Sequence, residues 1–200
     1  MFHPEAGREF ETPLRLGVIS DTHIYASSRR EIPSQVFALF RRAGVNLIAH
    51  LGDVNSAWVL EELAEIAPVL AVHGNNDDDE LVSTLPASLQ FRVGKWEIGA
   101  IHGFGGKSAR QVVTDRFAGV ADLALFGQSH IPFIDRVHDT ILFNPGSAND
   151  RRWHPHFGIG IITFLDERID PELIVYGNPA HLDGIEFESL HTQRDREKPR

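Results

Sequence analysis

Cysteine is absent from this 200-residue chain. Its absence excludes disulfides and thiolate metal sites, and it fits a reducing compartment. No apolar run reaches about 18 residues, which excludes a membrane-spanning helix. No block of basic residues interrupts the body of the sequence, and the formal net charge is −9. Attraction to nucleic acid, which needs clustered Lys and Arg, is therefore disfavoured. An acidic protein that holds cations can still bind a phosphate group through them. Residues 1–13 are polar and lack the basic-then-apolar layout of a signal peptide. The expected location is the cytoplasm.

What the chain does have is apolar area. Hydrophobic residues make up 42% of it, including thirteen Phe and three Trp, enough to bury one core at this length. We expect one domain over residues 14–188, with polar tails at 1–13 and 189–200. Helical spacing over Glu31 to Ala43 puts Val36, Phe37, Phe40 and Ala43 on one face, and Gly44 supplies a stop. A second helix starts after Asn55 or Ser56 and reaches Ile66; a third covers Ser108 to Ala118. Leu89 to Val93 and Trp96 to Ile101 read as a hairpin about Gly94-Lys95, and His138-Asp139 reads as a two-residue turn. Past Ala121 the pattern is strand-rich. Three strand–helix units followed by strands imply two facing sheets with helices outside.

Five polar motifs each follow an apolar run: Asp21-Thr22-His23, Gly52-Asp53, Gly74-Asn75-Asn76-Asp77, His102-Gly103 and Gly127-Gln128-Ser129-His130. Residues leaving parallel strands at one sheet edge converge in space, and ligands of open α/β sheets bind there. Carboxylate, imidazole and carboxamide groups form a ligand set for divalent transition metals. Asp21 and His23, two apart in extended chain, would point to the same side. Asp53 has two oxygens and can bridge two cations. Singly, Asp21 and Asp53 read equally well as cap or turn residues. Asp78 and Asp79 read as capping the next helix. His50, His73 and His138 read as structural, and His154 and His156 are open. It is the register of five motifs with five strand ends that points to a metal site.

The order and spelling of these motifs resemble the calcineurin-like metallophosphoesterases, whose pattern is D-x-H, G-D, G-N-x-D/E, H and G-H-x-H. The match spans Leu14 to about Thr163, and Asn144-Pro145-Gly146-Ser147 resembles a turn of the small prokaryotic phosphodiesterase branch. The resemblance implies a four-layer α/β/β/α sandwich of two facing mixed sheets with outer helices. It implies one metal on Asp21, His23, Asp53 and His130, and a second on Asp53, Asn75 and His102, with Gln128 where the family has His. Manganese is the first expectation for these one or two divalent ions, and iron, nickel and zinc suit the same donors. The implied reaction is attack of a metal-bound hydroxide on a small phosphodiester. Asn75 and Asn76 are the catalytic candidates, though Asn76 has no proton to give where relatives carry His. Phe104 stands where relatives often carry a second His. Arg151 and Arg152 are candidate phosphate contacts, with an ordinary surface role as the competing reading. A homo-oligomer is compatible with all of this. The alternative function is a non-catalytic, metal-binding interaction scaffold on the same fold, like the metallophosphoesterase-like subunit of retromer.

Overall fold

The computed structural model describes residues 9–187. Eleven strands form two mixed sheets among these residues. The five-stranded sheet has the order β11-β10-β2-β3-β4. It is built from β2 (Leu14–Ile19), β3 (Leu47–His50), β4 (Val69–Ala71), β10 (Phe157–Phe164) and β11 (Ile169–Tyr176). The six-stranded sheet has the order β1-β5-β6-β7-β9-β8. Its strands are β1 (Glu9–Phe10), β5 (Ser88–Val93), β6 (Trp96–Ile101), β7 (Leu123–Phe126), β8 (Phe133–Val137) and β9 (Thr140–Asn144). The strands β2, β3 and β4 run parallel, as do β6, β7 and β9.

Strand alternation assigns the residues to layers. Leu16, Val18, Leu47 and Ala49 meet Phe91, Ile98, Leu123 and Phe143 in a core between the sheets. Ile19 and Ile48 face the other way, against Phe40, Leu60 and Leu63 of the helices α1 (Ser34–Ala43) and α2 (Ala57–Ala64). On the opposite flank, Val113 and Phe117 of α4 (Ala109–Phe117) cover Ala124 and Leu142. The result is the expected four-layer sandwich.

Local chemistry set most element ends. Helix α1 stops at Gly44, whose φ of 70° suits glycine, with Gly44 and Val45 N–H groups returning to Arg41 and Phe40. It starts at Ser34 rather than Glu31, because Pro33 fixes an extended residue before it. Helix α2 ends at Ala64, short of Ile66. Ser108 caps α4 by accepting from the Gln111 N–H. One element differs from expectation. Glu9–Phe10, assigned above to a polar tail, pairs in parallel with β5 as an edge strand. The helix α3 (Asp79–Thr84) is a further element, capped as expected by Asp78 on the Leu81 N–H. The expected tail at 189–200 lies outside the described residues.

Candidate metal centre

The loops after β2, β3, β4, β6 and β7 carry the five motifs. The pairing of β2 with β3 continues past the strands: Asp21 N–H donates to the Gly52 carbonyl, His23 to Asp53 and Ile24 to Val54. The first two motifs are thereby held side by side. Their backbone is not extended, contrary to the expectation for Asp21 and His23. Asp21, His23, Asp53, Asn55, Gln128 and His130 all have φ between 47° and 69°. Non-glycine residues rarely occupy this left-handed region, and such positions concentrate at functional sites. Extended alternation therefore does not account for how Asp21 and His23 come to the same place.

Five side chains converge. Asp21, His23 and His130 form one group, and Asp21, Asp53 and His102 another, with the ligand atoms of each group within 4.8 Å of one another. The Nε2 atoms of His23 and His130 lie 3.1 Å apart. His130 Nε2 is 3.4 Å from Asp21 Oδ1, and His23 Nε2 is 3.5 Å from Asp53 Oδ2. His102 Nε2 is 3.3 Å from the same Asp53 oxygen and 4.0 Å from Asp21 Oδ1. Donor atoms bonded at about 2.1 Å to one cation sit roughly 3.0–3.4 Å from each other, so these separations suit the edges of a coordination polyhedron. Asp53 Oδ2 lies between His23 and His102, the placement a bridging carboxylate needs. Asp21 Oδ1 is likewise shared between the two groups.

The imidazoles are oriented from behind. His130 Nδ1 contacts the Asp150 carbonyl, and His102 Nδ1 lies 2.6 Å from the Leu51 carbonyl. A carbonyl only accepts, so both Nδ1 atoms carry a proton and both Nε2 atoms face the cluster. Asp21 Oδ1, His102 Nε2 and Gln128 Oε1 are buried without a hydrogen-bond partner. Orphaned buried acceptors are costly, and a cation is the group this donor set fits.

The electrostatics agree. Burial raises the Asp21 carboxyl to about 6 and lowers the imidazoles of His23 and His130. Burial also opposes ionisation of Asp53, but His102 and Asn76 outweigh it and hold that carboxyl well below the usual range. For His102 burial is outweighed by Asp53, Asp21 and the Leu51 carbonyl, and its pKa is raised to about 9. Two carboxylates and three imidazoles with such perturbed protonation, packed in one place, mark a functional site.

The comparisons give the family and the fold. The model of the calcineurin-like phosphoesterase superfamily domain matches residues 14–167. The chain belongs to that superfamily. A probable metallophosphoesterase of Methanothermobacter thermautotrophicus is 37% identical over 170 residues, covering 82% of this chain and 94% of that protein. Among solved structures, an archaeal phosphodiesterase matches with a TM-score of 0.63 at 20% identity, covering 80% of this chain and all of the other. Vps29 of Chaetomium thermophilum matches with a TM-score of 0.67 at 19% identity, over 82% of this chain and 98% of that one. These two structural likenesses carry the fold.

The phosphoesterase differs from expectation around the third and fifth motifs. Asn75 is exposed, and Asn76 takes the contact with Asp53. Both N–H donors of Asn76 are used: the backbone N–H lies 2.9 Å from Asp53 Oδ1 and Nδ2 2.7 Å from Oδ2. The turn is shaped by Asp77, whose carboxylate accepts from the backbone N–H groups of Gly74, Asp53 and Asn55 at 2.7, 3.1 and 2.7 Å. Sequence reasoning gave Asp77 no role, although it is the final letter of G-N-x-D. Gln128 donates its backbone N–H to Asp21 Oδ2 at 3.0 Å. Phe104 is exposed, with its ring centroid 6.1 Å from those of both His73 and His102.

The N-P-G-S turn ties a further loop to the centre. Ser147 Oγ donates to the Asp21 carbonyl at 2.8 Å and accepts from the Asp150 N–H at 2.9 Å. Asp150 also pairs with Arg30 at 2.7 Å. Beyond it, Arg152 reaches to 3.5 Å from His23 Nε2, while Arg151 turns away to the His154 carbonyl. Among the described residues, the remaining histidines stay outside the cluster. His50 is buried on Thr22 Oγ1, and burial lowers it to about 3. His138 forms the β8–β9 turn, and His154 lies against the His156 carbonyl.

Proposed function

We propose that this phosphoesterase is a metal-dependent phosphodiesterase. The observation that carries the reading is the spacing of Asp21, His23, Asp53, His102 and His130 at coordination-edge distances, with two imidazoles locked from behind. Asp21, His23, Asp53 and His130 would hold one cation; Asp53 and His102, with Gln128 Oε1 and Asn75 as the neutral donors nearby, would hold a second. Manganese is the first choice for a donor set rich in oxygen and imidazole, and iron, nickel and zinc fit the same atoms. Divalent cations there supply Lewis acidity toward a phosphoryl oxygen and acidify water near neutral pH.

The chain's own residues do the rest. Asp53 is kept ionised by His102 and Asn76, so its charge stays available at neutral pH. The Leu51 and Asp150 carbonyls keep the imidazole protons on Nδ1. Asn76 positions Asp53 but has no proton to release to a leaving group. Arg152 places a permanent positive charge at the edge of the cluster, where a phosphate oxygen arrives. Arg151, held by its own loop, supports that segment. Removing a single aryloxide from a diester therefore suits this site better than expelling a basic alkoxide.

The test is metal content after gentle purification and after manganese reconstitution, followed by kcat/KM on bis-nitrophenyl phosphate and on nitrophenyl phosphate. Bound metal with faster diester hydrolysis supports the proposal. A monoester preference of about tenfold or more overturns the substrate class. The second reading, a metal-binding scaffold without turnover, rests on the displaced Asn75 and on Gln128. Metal bound at full occupancy with no hydrolysis of either ester would assign it.

A further inference from the structure

The sandwich has a second end, opposite the metal loops, where β6, β7 and β9 begin and β10 turns into β11. A cavity of about 250 Å³ opens there between the two sheets. Trp96, Asp122, Arg136, Asp139 and Ile141 line it from the six-stranded sheet, and the β10–β11 turn closes it from the other. Its floor is apolar and fixed. Ile141 belongs to the core between the sheets, and Trp96 and Ile169 pack against that core. Trp96 also donates its indole N–H to the Leu165 carbonyl at 2.8 Å.

Strand register sets the polar groups about that floor. Arg136 is the cross-strand partner of Ile141, so both side chains lie on one face. Asp122, one residue before β7, accepts the Ile141 N–H on its carbonyl at 2.9 Å. A guanidinium and a carboxylate thus flank the same isoleucine. At the rim, Glu167 pairs with Lys95 at 3.4 Å and Arg168 with Asp170 at 2.7 Å. The inner groups are not neutralised in this way. Arg136 is steadied by one bond from Nη1 to the Asp139 carbonyl at 3.0 Å and makes no ion pair among the described residues. Asp122 Oδ2 accepts from the Glu97 N–H at 2.8 Å. Neither Asp122 Oδ1 nor the Asp139 carboxylate has a partner among the described residues.

A ligand that answers all three features carries a carboxylate, an ammonium and an apolar group close together. Sites for drug-sized molecules start at about 300 Å³, so the volume here suits a smaller one. We propose that the cavity binds a free α-amino acid with an apolar side chain. Its carboxylate rests on Arg136, its ammonium between Asp122 and Asp139, and its side chain over Ile141, Ile169 and Trp96. Guanidinium and carboxylate pair through charge-assisted, often bidentate bonds, which fixes the orientation of the ligand. The site lies at the far end of the strands from the metal centre and involves none of its residues.

The experiment titrates L-leucine calorimetrically into the full chain and into its Asp53→Ala variant. Leucine can also chelate a metal, and equal affinity for both proteins separates the cavity from the metal centre. Leucinamide lacks the carboxylate and N-acetylleucine lacks the ammonium, so each should bind about tenfold or more weakly. Arg136→Ala should weaken leucine by a similar factor, and Arg136→Lys should recover part of it. In the zinc-loaded full chain, leucine should shift the indole N–H resonance of Trp96 and leave those of Trp58 and Trp153 in place. The analogues and the Trp96 signal need no variant, so they decide the outcome even where a substitution unfolds the protein. No binding up to about 10 mM leucine overturns the proposal. So do equal affinity for leucinamide, affinity indifferent to Arg136, loss of binding in folded Asp53→Ala, or a resonance shift at Trp153 with none at Trp96.

Discussion

The two halves of the centre are built to different standards. On one side, His23 and His130 bring two imidazole nitrogens to 3.1 Å of each other, with Asp21 and Asp53 alongside. On the other, His102 supplies a single imidazole, Asn75 is exposed, and position 128 offers an amide oxygen buried without a partner. The carboxylates are common to both, so the difference lies in the neutral donors. Imidazole is the stronger donor to a transition metal than an amide oxygen. The lesson is that one fold edge can present two unequal donor sets at once, joined by a shared carboxylate.

The largest effect should come from erasing what the halves share. Asp53→Ala removes the oxygen lying between His23 and His102, and both positions should empty together. Elemental analysis should find metal near background, and kcat/KM should fall by several orders of magnitude. Retention of one full equivalent would show that the halves are independent.

Gln128→His sharpens the comparison from the other direction. Exchanging the amide for an imidazole should raise affinity at the His102 half on the order of 10–100-fold. Metal stoichiometry at limiting manganese should rise from near one toward two. Two equally tight equivalents in the parent protein would remove the asymmetry altogether.

Acidity should separate the halves more gently. A proton and a cation compete for His102 Nε2, and the raised pKa of about 9 means the proton holds it at every pH below that. Affinity at that half should fall about tenfold per unit as pH drops from 9. His23 and His130, both lowered from the usual imidazole value by burial, bring no such competition at neutral pH. Manganese titrations between pH 7 and 9 should therefore show one pH-sensitive and one flatter binding event.

The smallest effect belongs to Ser147→Ala. Losing the Ser147 bonds to the Asp21 carbonyl and the Asp150 N–H should cost about 1–2 kcal/mol of stability by urea titration. It should loosen the His130 half, which Asp150 also orients, more than the His102 half, leaving the pH-sensitive event in place.

Much of this asymmetry was legible before folding. The apolar runs marked the strands, and the polar residues directly after them marked the edge where they meet. Gln128 stood out by its place in a spelled motif. What was not legible depended on distant chain segments. Asp77 binds backbone from two loops, and only the assembled turn shows that this pushes Asn76 rather than Asn75 toward Asp53. Arg152 reads as surface in the sequence, because nothing local reveals that Ser147 and Asp150 swing it over His23. The left-handed backbone at Asp21 and His23 contradicts alternation along an extended strand, since the loop follows its bonds to Gly52 and Asp53 instead. Short elements such as β1 and α3 carry too few residues to show a period.

The left-handed backbone also bears on how the molecule breathes. Six non-glycine positions with φ near 50–70° sit on three loops at one rim, beside two buried carboxyls. Each is a conformation the unfolded chain seldom visits, at roughly 1 kcal/mol or more apiece. The sheets beneath have no such burden. Native-state amide exchange should therefore be fastest around 21–24, 53–55 and 128–130, even though Asp21, His23 and Ile24 donate well-formed backbone bonds. Divalent cation should slow exchange there and scarcely touch the strands. In that sense the rim is an annealing step left unfinished by folding, completed by whatever ion the protein meets.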